Sequence, residues 1–157
     1  MFENPVVKEI VSAYRRIWAL GHALSLMGWD AETYMPPAGL EERSLATGEL
    51  TMLMQELVLS PRLVGLMEKA EGLEGLNDYE RGVVRVLSRR IRIARALPPS
   101  LVGELARLSQ EARGAWLEAR RRNDYSVFKP YMERIIELER QAAEHLGYED
   151  HPYDALL

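Results

Sequence analysis

The three histidines, His22, His145 and His151, are the first place to look for metal chemistry. Activating water with a divalent ion needs imidazole and carboxylate donors gathered at helical spacing, as in His-Glu-x-x-His, and no such motif occurs in the 157 residues. His145 and His151 stand six apart across Gly147 with Asp150 and Asp154 nearby, a spacing better read as polar loop residues than as a ligand set. His22, beside Gly21 on a helical seam, is expected to be a hydrogen-bonded interfacial histidine.

Asp30 and Glu32 form a carboxylate pair beside Trp29 and Tyr34. Burial of such a pair would raise one pKa and supply general acid–base chemistry. The competing reading is structural, with Asp30 pinning an irregular loop through Arg43, and it prevails because the backbone groups of such a loop need partners. Arg81, Arg85, Arg89 and Arg92 recur at spacings of four, four and three, with Arg90 and Arg95 close by. Like charges at these spacings repel by a few tenths of a kcal/mol each, so something acidic is expected opposite. The candidates, in order, are Glu41, Glu42, Glu49 and Glu56 of the second helix, an acidic element of a larger protein, and an RNA phosphate track. There is no Gly-rich phosphate loop, no Gly-x-Ser-x-Gly elbow and no cysteine, so nucleophilic and thiolate chemistry have no carrier. Trp18, Trp29 and Trp116 are assigned to the core.

The elements that must position these residues are helices. Asn4-Pro5 reads as an N-cap and first helical position. Val7, Ile10, Tyr14, Ile17, Gly21 and Leu24 then predict a helix to about Met27. Pro36-Pro37 predicts an extended connection over residues 29–39, with a second helix from Pro37 or Ala38 burying Leu40, Leu45, Leu50, Leu53, Met54 and Leu57. A third runs from Pro61 to Glu71. The fourth opens on the capping-box pair Asn77 and Glu80 and ends at Leu97. Ser100 is expected to cap the fifth, whose seam runs from Leu101 to Ala119 above Arg120-Arg121-Arg122, cations suited to a helix C-terminus. The sixth opens at Asp124 or Ser126 and stops at Gly147. No sustained alternation predicts a strand, so the expected class is an all-α antiparallel bundle of about six helices in one domain, 1–157.

Bulk properties narrow the partners. Hydrophobic residues make up 47%, enough for a core, and the net charge of −4 argues against nucleic acid. No window approaches the roughly 20 apolar residues of a membrane span, and no basic leader precedes an apolar run, so membrane insertion is not expected. The lack of cysteine points to a cytoplasmic protein, and the excess of arginine over lysine is compatible with a thermophile.

Residues 28–39 carry a further signal. Trp29, Asp30, Thr33, Met35 and Pro36 stand in the order Trp-Asp-x-x-Thr-x-Met-Pro, followed by Arg43, and this resembles the signature near the N-terminus of the carboxypeptidase Taq family of thermostable zinc metallocarboxypeptidases. The likeness extends through the Arg-rich fourth helix to the closing stretch His151 to Leu157. It implies a mostly helical body around a deep groove, commonly dimeric, that releases C-terminal amino acids from peptides with zinc or cobalt. The zinc motif, a downstream glutamate ligand and the groups that hold the substrate carboxylate have no counterpart in these residues. The resemblance therefore implies an N-terminal portion or reduced relative, inactive alone, without a metal of its own and homodimeric through newly exposed apolar faces. A non-catalytic interaction module is the alternative, and an RNA-contacting bundle is weaker still. If Trp29 is buried, Trp29→Ala is expected to cost roughly 3 to 5 kcal/mol.

Overall fold

The computed structural model describes residues 1–156; Leu157 lies outside the described residues. The chain is all-α, with α1 (Pro5–Thr33), α2 (Leu40–Val58), α3 (Pro61–Glu71), α4 (Asp78–Ala96), α5 (Pro99–Arg122) and α6 (Lys129–Leu146). Short 3-10 turns at Pro37–Gly39, Tyr125–Val127 and Pro152–Leu156 join or follow them. Among the described residues no strand occurs. No single helix is long and apolar enough to cross a membrane.

Two apolar cores organise the bundle. Ile10 and Ile17 of α1 meet Val58, Leu63 and Met67 of α2 and α3 and Leu87 and Ile91 of α4. Leu101 and Leu108 of α5 meet Leu138 and Ala142 of α6. Between them α2 lies antiparallel against α5 in the most extensive helix pairing of the fold. That pairing depends on small residues. A Cβ on Gly48 would lie 3.2 Å from the Gly103 carbonyl oxygen, one on Gly103 would lie 2.7 Å from Met52 Sδ, and Leu40 occupies the space a side chain on Gly114 would need. The buried face of α2 is therefore Ser44, Gly48, Gln55 and Val58, whereas Leu45 and Leu53, expected inside, are exposed. Close backbone approach has selected small side chains on the packed face and left two leucines outside it.

Ser44 is wholly buried, and its hydroxyl donates to the Leu40 and Glu41 carbonyls at 2.7 and 2.9 Å. Gln55 Nε2 donates to Ala94 O at 2.9 Å and Leu97 O at 2.7 Å, satisfying carbonyls at the α4 C-terminus that lack helical partners.

Several expected boundaries shift. α1 runs to Thr33 rather than Met27, so Trp29, Asp30 and Thr33 are helical and the extended connection shrinks to the Tyr34–Pro36 corner. Proline excludes the α region only for the residue before it, here Met35, and Gly28 alone costs a helix about 1 kcal/mol, too little to stop it. α5 begins at Pro99 with Pro98 at its cap position, so Ser100 is already inside the helix. Asp124 caps the short turn over Tyr125–Val127, and α6 begins after it, at Lys129.

Candidate functional site

The end of α1 and the start of α2 form a clasp. Arg43 reaches back from α2, its Nη1 donating to Met27 O at 2.7 Å and its Nη2 to Asp30 Oδ2 at 2.6 Å. A cation at the carbonyl end of α1 complements the helix dipole, and Asp30 fixes its position. Thr33 Oγ1 donates to Trp29 O, and the Tyr34 and Met35 amides both donate to Asp30 O, closing the last turn. Met35 lies over Gly39, where a Cβ would meet its Cγ at 3.3 Å, and Pro36 is extended. Trp29 and Tyr34 meet edge to face with centroids 5.5 Å apart, both exposed.

Glu32 ties the same corner to a third helix through Arg113 of α5, at 3.2 Å. Because α1 continues through residue 32, Asp30 and Glu32 are two apart on a helix and face different directions. Each carboxylate has its own arginine, so the two cannot share a proton or flank a water. The acid–base reading of this pair fails on geometry.

Beside the clasp a cavity of about 550 Å3 opens between Met35, Pro37 and Leu40 on one side and Gly114 and Leu117 of α5 on the other, with Arg113 and Arg121 at its rim. The Arg121 guanidinium, with Arg122 behind it, holds the Glu118 carboxyl down to about 2. The polar groups that line this space are Gln110, Arg113, Glu118 and Arg121.

The histidines do not assemble. His22 stacks on Trp18, centroids 5.7 Å apart, on the exposed side of α1 rather than in an interface. His145 lies in the last turn of α6, and His151 Nδ1 accepts the Tyr153 amide at 3.1 Å. Among the described residues no three His, Cys, Asp or Glu side chains are grouped to hold a metal ion. These residues do not fit a catalytic zinc.

The arginine row of α4 faces α3, not α2. Arg95 pairs with Glu68 at 3.6 Å, and Ser88 Oγ donates to Glu71 at 2.6 Å across a groove of about 500 Å3 that Arg85, Arg89 and Arg92 also line. Glu41, Glu42, Glu49 and Glu56 have no part in it. Their helix packs against α5, which leaves α3 as the antiparallel neighbour of this α4 face. Arg81 instead bonds Asp78 in its own first turn and the Leu76 carbonyl just before the helix.

One polar centre was only half visible in the sequence. Glu80 completes the capping box with Asn77, yet it also accepts the Glu3 and Asn4 amides, each at 2.7 Å, while almost fully buried. The Asn4 amide above all, then those of Asn77 and Glu3, holds its carboxyl below the usual range against the opposing effect of burial. The local Asn-x-x-Glu spacing reveals the cap. Nothing local reveals the tie to a segment 76 residues away.

The six helices and the Trp-Asp to Met-Pro corner, locked by an arginine from the next helix, are the features that carry the resemblance to the helical metallocarboxypeptidases. The family description "Carboxypeptidase Taq (M32) metallopeptidase" matches residues 9–157, and the chain belongs to that family. It is 55% identical over 157 residues to thermostable carboxypeptidase 1 of Pyrococcus furiosus and 31% identical over 151 residues to carboxypeptidase 1 of Bacillus subtilis. These alignments take in 100% and 96% of this chain but 32% and 30% of those proteins, so the chain spans about a third of their length. The solved structure named BsuCP superposes with a TM-score of 0.91 at 30% identity, covering 98% of this chain and 31% of its own. A solved P. furiosus carboxypeptidase gives 0.78 at 55% identity over 99% and 31%.

Proposed function

We propose that these residues are the N-terminal helical portion of a Taq-type metallocarboxypeptidase that releases C-terminal amino acids from peptides, and that the portion does not hydrolyse peptides alone. The observation that carries this reading is the 55% identity over 157 residues, all of this chain, to about one third of a thermostable carboxypeptidase. The metal and its water-activating groups belong, in this reading, to the rest of the enzyme. The clasp then has an architectural role, setting the angle at which α1 meets α2 beside the groove. The test is hydrolysis of a protected dipeptide by the 157-residue chain with added zinc or cobalt. No turnover is expected, and chelator-sensitive turnover refutes the reading.

Self-association of the chain is part of the same proposal. Trp18, Leu26 and Trp29 of α1 and Leu45 and Leu53 of α2 are exposed large apolar side chains, and such surface is commonly covered by a second copy when its natural cover is missing. Light scattering is expected to give a dimer mass; a monomer at high concentration removes this part of the proposal.

A further inference from the structure

The groove between α3 and α4 has a charge balance opposite to that of the whole chain. Four guanidiniums and two carboxylates line it, whereas the chain carries a net charge of −4. Arg95 and Glu68 are occupied with each other and Glu71 with Ser88. Arg85 and Arg92, seven residues apart on one face of α4, have neither a hydrogen bond nor an ion pair among the described residues. The buried Met67 and Ile91 provide apolar lining between the two walls. From Arg85 to Arg95 the cationic wall extends roughly 15 Å, the length of about three helical turns.

We infer that this groove docks an acidic amphipathic helix contributed by the remaining two thirds of the same metallopeptidase polypeptide, with its carboxylates on Arg85 and Arg92. The inference rests on the proposed function above. Like-charge repulsion between Arg85 and its neighbours and between Arg92 and its neighbours along α4 costs a few tenths of a kcal/mol per neighbour, and an acidic face laid along these two reverses the sign. The opposite wall decides what kind of anion fits. Glu68 and Glu71 repel a free phosphate or a nucleic acid strand, which present negative charge in every direction. A helix with acids on one side and apolar residues beside them meets the arginines and the Met67–Ile91 lining while keeping charge away from the glutamates. The polypeptide itself is the source because the relatives are about three times as long as this chain, and most of what must close around these helices lies elsewhere in them.

The test uses a chimera in which this chain replaces the matching N-terminal stretch of the P. furiosus carboxypeptidase. In the chimera bearing Arg92→Lys, a zero-length carbodiimide is expected to join the introduced amine to an Asp or Glu of the P. furiosus portion, read by peptide mass spectrometry. Cross-links only to Glu68 or Glu71, only to a second copy, or none at all overturn the inference. Dipeptide hydrolysis by the unsubstituted chimera is read separately, so an inactive chimera counts against the proposed function and a missing cross-link against the groove. A second measurement does not need the chimera to fold. The isolated chain is titrated with a synthetic helix carrying glutamates along one face and leucines beside them. R85A/R92A is expected to weaken binding at least about tenfold, a difference of ~1.4 kcal/mol. Equal binding by the double variant, no binding by the unsubstituted chain, or tighter binding of RNA or inorganic phosphate overturns it.

Discussion

The two halves of α1 are built differently. In the first, Val7 and Ile10 are 0% exposed and Ile17 2%, and the helix start is tied to α4 through the buried Glu80 carboxylate. In the second, Trp18, Leu26 and Trp29 are 61%, 54% and 56% exposed, and the helix end is held by the partly exposed ion pairs Arg43–Asp30 and Arg113–Glu32. One half completes its packing within these residues. The other presents large apolar side chains to solvent among the described residues, the surface that the proposed function assigns to contact with a further part of the polypeptide. Both ends use a carboxylate as the tie, yet one closes three backbone donors in a dry site and the other anchors a corner at the edge of solvent.

Ile10→Ala tests the packed half. Removing three buried carbons from a filled core is expected to cost about 2–5 kcal/mol in urea denaturation. A cost below that of the exposed-half substitutions would abolish the contrast. Glu80→Gln comes next, since an amide oxygen replaces a carboxylate that serves the Glu3, Asn4 and Asn77 amides. The Glu80 carboxyl titrates below its usual 4.5 in the folded chain, so its contribution is complete above the unfolded value and is lost as pH falls through the folded one. Melting curves from neutral to acid pH are expected to show a clear loss for Glu80→Gln at neutral pH that narrows towards pH 3. A constant difference across that range would mean that the charge of Glu80 is not what holds the N-terminus.

The same contrast explains how much could be read from sequence. Proline at first helical positions and the 3.6-residue apolar rhythm located all six helices, and α3 spans Pro61–Glu71 as expected. The inner face of α2 was not legible, because Ser44, Gly48 and Gln55 are not apolar and the rhythm of Leu45 and Leu53 pointed outward. Close helix approach is a tertiary fact that local hydrophobicity does not encode. Trp29 differs for the opposite reason, since its residue type predicts burial and none of these helices covers it. The clasp was partly legible as an Asp30–Arg43 contact, but the Arg43 bond to Met27 O follows only once α1 runs on to Thr33. The acidic neighbours of the arginine row lie on α3 and not on α2, and nothing in the sequence states which helix lies across from α4.

The exposed half yields the smaller effects and the sharper discrimination. Asp30→Ala leaves Arg43 with Met27 O and removes a partly exposed pair, so a cost of about 1 kcal/mol is expected in denaturant melts. Trp29→Ala is expected to fall below about 1 kcal/mol in the 157-residue chain, because a side chain more than half exposed loses little burial and opens no cavity. This replaces the 3 to 5 kcal/mol that burial would have implied. In the chimera with the P. furiosus portion, the same substitution is expected to cost several times more if, as the proposed function has it, that portion covers this tryptophan. Equal small costs in both settings would show that the outer half of α1 faces solvent in the whole enzyme, and the two halves of the helix would then differ in exposure without differing in purpose.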